Sequence, residues 1–152
     1  MNRALALIAS FGVAFSANSA EAATSFRGTY LCSLDSSNTI SDAAGNSVKI
    51  SDFLLKVDRS GRIEIETKMT FRISGKSQTL TVEGKGAIRE TFPNSEATFS
   101  FSLKPSRSLS YKGRAVSLKS KAISLYKSYG SAFGGGYLAT PFGQASVTCG
   151  TP

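Results

Sequence analysis

Glu64 and Glu66 stand two residues apart, and Glu83 falls in the next run of alternating residues. Carboxylates paired across a cleft can hydrolyse glycosides, one as acid and the other as base or nucleophile. These three, however, alternate with apolar residues and share their polar side with Arg62, Lys68 and Lys85. That pattern reads as cross-strand charge pairing on an outer face, where carboxylates have little reason to acquire tuned acidity. The chain has no His, which removes imidazole-dependent triads and most zinc sites. Asp35 and Asp42 lack the regular acidic spacing of a calcium loop. Neither an enzyme nor a bound metal or cofactor is expected.

Two cysteines, Cys32 and Cys149, are the next candidates, in a chain of 152 residues. No C-x-x-C is present, so redox catalysis has no motif behind it. A leader is present instead. Arg3 is a short basic region, Leu5 to Phe15 an apolar stretch, and Ala20-Glu21-Ala22 a small-residue cleavage site. Residues 1–22 therefore read as a signal peptide, leaving 23–152 as one domain in a secreted or periplasmic, oxidising space. There a pair of cysteines is read as a disulfide, with buried free thiols as the alternative.

The third candidate is positive charge. Formal net charge is +8. From Ala23 to Glu96, 10 Lys and Arg meet 9 Asp and Glu, a net of +1. From Ala97 onward there is no acidic residue, and Lys104, Arg107, Lys112, Arg114, Lys119, Lys121 and Lys127 give +7. This segment is the candidate anion-binding surface, for an anionic glycolipid, an acidic polysaccharide or a membrane surface. A solvated face that only keeps the domain soluble is the alternative. Nucleic acid is not expected, because no nucleic-acid-binding signature occurs.

These groups must be carried by strands. In Arg62–Ile73, Ile63, Ile65, Met69, Phe71 and Ile73 alternate with charged and polar residues, one buried face against one wet face. Similar alternation gives about eight strands, at 26–34, 48–58, 62–74, 77–92, 95–104, 108–117, 119–128 and 143–149. Asp58-Arg59-Ser60-Gly61, Ser74-Gly75 and Pro93-Asn94-Ser95 supply tight turns between them. Val116–Tyr129 also fits helical spacing, and the strand reading is preferred because its neighbours are strands. Gly134-Gly135-Gly136 reads as a mobile mouth loop, whose Phe133, Tyr137 and Phe142 gate a ligand or join the core.

Cysteines in the first and last strands make the two ends neighbours, since bridged Cα atoms lie about 4.4–6.8 Å apart. A meander whose ends meet is a closed sheet. The expected fold is an all-β, antiparallel, up-and-down barrel of about eight strands. Its inward residues include Tyr30, Phe53, Phe71, Phe99, Phe101 and Tyr137, which would be the contacts of an apolar or amphiphilic ligand held inside. Gly84 and Gly86, also inward, mark either a bend or space for such a ligand.

Phe26-Arg27-Gly28-Thr29-Tyr30 resembles the G-x-aromatic opening of calycin-type barrels, the lipocalins and avidins. The resemblance covers that tripeptide and the inferred topology, and the usual Trp is replaced by Tyr30. It implies a small barrel with one open mouth and an internal ligand site. Two other readings stand beside this binding module: a solid barrel that docks on a protein partner, and an eight-stranded outer-membrane barrel. The last would need aromatic girdles at both strand ends.

Overall fold

The computed structural model describes residues 24–152; the leader expected over residues 1–22 lies outside the described residues. Twelve strands form, and no helix occurs among the described residues. Eight strand positions close into an antiparallel barrel in chain order. They are β1 (Gly28–Leu34), β3 (Ser47–Ile50) with β4 (Phe53–Val57), β5 (Arg62–Ile73), β6 (Lys76–Phe92), β7 (Glu96–Pro105), β10 (Leu118–Ser128), β11 (Ser131–Thr140) and β12 (Gly143–Gly150). The expected single strand 48–58 is interrupted at Ser51-Asp52, but both halves pair with β5 and fill one position. β2 (Thr39–Ser41) adds to the edge of β3.

Closure occurs where the cysteines require it. β1 pairs with β12, Cys32 directly faces Cys149, and the disulfide joins Cα atoms 4.0 Å apart. Each strand of the barrel ring thus has a partner on both sides, which removes the open edges that invite aggregation.

Turn chemistry follows the sequence. Asp58 accepts the Gly61 amide at 3.0 Å, and Gly61 takes a φ of 88°. Ser74-Gly75 and Tyr129-Gly130 turn with positive φ at both residues, the geometry that two-residue hairpins favour.

Two expectations need correction. Residues 108–117 are not a barrel strand. The turn at Lys112-Gly113 folds them into a small hairpin, β8 (Ser110–Tyr111) with β9 (Arg114–Ala115), lying off the ring. The eighth position is instead taken by the glycine run, which is strand β11 rather than a mouth loop. Gly134 and Gly136 occupy inward positions where β10 lies close. A Cβ on Gly136 would come 2.5 Å from the Ala122 carbonyl oxygen, so only glycine admits that approach. β10 bulges opposite, between Lys121 and Ser124, with Ala122 at a φ of 53°. The bulge turns both Lys121 and Ala122 outward before Ile123 returns to the core.

The interior is packed with side chains. Phe26 and Tyr30 meet Phe99 edge to face at 6.2 and 5.7 Å, and Phe53 meets Phe101 at 6.4 Å. Gly84 and Gly86 leave no room for a ligand, because Leu103 and Phe101 fill the space beside them. A Cβ on Gly86 would lie 2.7 Å from the Phe101 Cα.

Both poles are stopped. At the pole where the described chain begins, Phe26 is fully buried and its carbonyl accepts the Tyr30 hydroxyl at 2.6 Å. Glu90 holds that segment by accepting the Ser25 amide at 2.9 Å and the Thr24 hydroxyl at 3.2 Å. The Lys127 ammonium donates to the Ser25 carbonyl and lies 4.9 Å over the Phe26 ring. At the other pole, Phe142 and Ile40 are buried and Tyr111 packs on Phe142 at 4.9 Å.

Candidate functional site: a basic cleft under the β8–β9 hairpin

The β8–β9 hairpin leans over the pole formed by the starts of β10 and β12. Its position is set by Tyr111, whose ring packs at an angle against Phe142 and whose hydroxyl donates to the Asp42 carboxylate. Asp42 also accepts the Ala44 and Asn46 amides, each at 2.9 Å. Those hydrogen bonds favour its charged form, that from Tyr111 most, and lower its pKa to about 2.

Beneath the hairpin lies an open cleft of about 460 Å³. Lys112 from the turn, Arg114 from β9 and Lys119 from β10 line it, with Ser117, Thr140 and Pro141. No carboxylate is among the lining residues. Lys112 stands 5.3 Å over the Tyr111 ring and takes a φ of 53°. The left-handed region costs a residue with a Cβ about 1–2 kcal/mol, and this turn position normally holds Asn, Asp or Gly.

The seven basic residues singled out in the sequence do not form one surface. Lys112, Arg114 and Lys119 converge on the cleft. Lys121 stands further down β10, opposite Tyr137. Lys104, on β7, faces Glu83 across the strands and lines a different hollow with Glu83 and Lys85. Arg107 is exposed in the loop after β7, and Lys127 is engaged at the opposite pole.

Of the proposed interior contacts, Tyr30, Phe53, Phe71, Phe99 and Phe101 are buried in the core. Tyr137 is not: it is 45 % exposed on the outer face of β11. Its inward neighbour is Leu138, fully buried, and the placement of Tyr137 follows from β11 being a strand. Phe142, read with the mouth loop, is a core residue.

Glu64, Glu66 and Glu83 line one outer hollow of about 300 Å³ with Lys56 and Lys85. Glu64 faces Lys56 and Lys85 across its neighbouring strands, while Glu66 faces Glu83. The cleft residues that sequence reasoning missed are Tyr111, Ala115, Ser117, Ala139, Thr140 and Pro141. Only Pro141, a turn signal between two strands, could have hinted at its place.

No family model, no curated protein and no solved structure matches this chain.

Proposed function

We propose that this protein is an exported binding module that captures an anionic group of an envelope or matrix component in the cleft under the β8–β9 hairpin. The convergence of Lys112, Arg114 and Lys119 on one hollow without a lining carboxylate carries this reading. Three cations from three elements create a local positive potential that attracts an anion, and an Arg can hold an oxyanion through two parallel hydrogen bonds. Lys112 supports it further, because it keeps a cation at a turn position where local preference favours another residue.

An apolar ligand inside the barrel is less well supported, since core aromatics fill the interior edge to face and both poles are stopped. An outer-membrane barrel is disfavoured by charge on the outer face, as at Arg62, Glu64, Glu66, Lys68 and Arg72 of β5. Export belongs to the same proposal. The leader and the disulfide both fit an oxidising space, and the exported chain should begin at Ala23.

Titration with inorganic phosphate and pyrophosphate tests the cleft, followed by amide chemical shifts. Shifts should concentrate at residues 111–119 and 139–141, weaken with salt, and fall at least tenfold in affinity in Arg114→Ala and Lys119→Ala. Equal affinity in these variants, or shifts spread over all lysines, would refute the assignment.

A further inference from the structure

The outer face of the β10–β11 hairpin carries a line of side chains that the cleft alone does not explain. Below Lys119, the bulge holds Lys121 opposite Tyr137. Then come Ser124 opposite Gly135, and Tyr126 opposite Phe133. Phe133 is 64 % exposed and Tyr126 51 %. Tyr129, at the hairpin tip, is fully exposed and takes a φ of 49°, a conformation that disfavours an aromatic residue. Between Phe133 and Tyr137 lies a hollow of about 470 Å³ with a floor of Gly134–Gly136, Ser146 and Thr148. The two aromatics are four residues apart on one strand, so they stand about 13 Å from one another.

We infer that this face is a sugar-binding track continuous with the cleft, and that the ligand is a linear oligosaccharide with its anionic group at one end. The inference rests on the cleft reading above and adds the ligand's class. Aromatic faces carry negative potential and attract the polarised C–H groups of a sugar ring. A concave floor of backbone and hydroxyl groups suits a hydroxylated chain. A lipid surface would instead engage the apolar row that runs from Tyr126 and Phe133 across Gly150 to Leu31 and Leu54, and would leave this floor uncovered.

Charge along the track is asymmetric. Lys112, Arg114, Lys119 and Lys121 crowd the end at the cleft. Asp35, which accepts the Thr148 hydroxyl, borders the floor, and Glu96 pairs with Tyr126. A uniformly acidic polymer would meet these carboxylates. A chain charged only at its head would not, and its neutral sugars would lie over Tyr137, Gly135 and Phe133.

An array of linear gluco-, galacto-, manno- and N-acetylglucosamine hexasaccharides, each uncharged and with a terminal phosphate, tests this on the full chain. At least one end-phosphorylated member should bind tenfold or more tightly than both its uncharged form and inorganic phosphate. Phe133→Ser and Tyr137→Ser should remove that gain and leave phosphate binding unchanged. Ser146→Gln, which fills the floor without deleting an aromatic, should do the same. If no phosphorylated sugar exceeds phosphate, or these variants keep full affinity, the track is wrong while the cleft stands. If phosphate itself fails to bind, the cleft is wrong. Tighter retention on phosphatidylglycerol vesicles than on every sugar, lost in Phe133→Ser, would replace the track with a membrane-docking face.

Discussion

Cys32 and Cys149 face one another in register on the strands that close the barrel, 117 positions apart in sequence. A crosslink over so long a loop restricts the unfolded chain most, by about 4–5 kcal/mol on the chain-entropy model. The Cys32→Ala, Cys149→Ala double variant should therefore lose up to about that much in urea unfolding with no change in cleft affinity. A loss below about 1 kcal/mol would mean that strand pairing alone holds the ring.

Gly86 is where β6 lies against β7 with no room for a side chain. Gly86→Ala should cost about 1–3 kcal/mol, as overpacking does, because the obstructing atoms belong to the Ser100 and Phe101 backbone. Gly75→Asn, at a turn with nothing nearby, should cost much less. Equal losses in thermal unfolding would show that backbone freedom, not close approach, selects glycine at 86.

Lys112 holds a left-handed turn position against its own preference. Lys112→Gly should stabilise the fold by about 1 kcal/mol while weakening phosphate binding, a trade of stability against function. A variant that is more stable and binds phosphate unchanged would remove Lys112 from the site.

The carboxylates at the two poles tie stability to acid. Asp42 has its pKa lowered to about 2, chiefly by the Tyr111 hydroxyl, and Glu90 is lowered chiefly by the Ser25 hydroxyl. A depressed folded pKa contributes stability that is complete above the unfolded value and disappears as pH falls through the folded one. For Asp42 that window runs from 3.8 down to about 2. Tyr111→Phe should raise the Asp42 pKa and loosen the β8–β9 hairpin, seen as faster amide exchange at 109–116. An unmoved Asp42 titration by NMR would break this link.

Strands with side chains on both faces were legible from the sequence. Ile63, Ile65, Met69 and Phe71 point inward on β5 as their alternation requires, and the cysteines gave closure. β11 was hidden because its inward positions 134 and 136 are glycine, which leaves no hydrophobic beat to read. Ala132 and Leu138, one beat either side of the two glycines and both buried, were the surviving trace. The eight positions expected and observed agree through two compensating differences, at 108–117 and at 131–140. The cleft was only partly legible: charge pointed to Lys112, Arg114 and Lys119, but their convergence depends on a hairpin packed by Tyr111 on Phe142. That contact joins residues 31 positions apart, beyond any local pattern.

The described chain starts and finishes at the same pole. Thr24 donates its amide to the Arg59 carbonyl, and Thr151 donates its amide to the Ala132 carbonyl, both at the end away from the cleft. A tether grafted at Pro152 would thus grip the barrel by its base and hold the basic cleft toward solution. Orientation on a support is therefore a property of the strand count: with an even number of antiparallel strands in a ring, the last must return to where the first began.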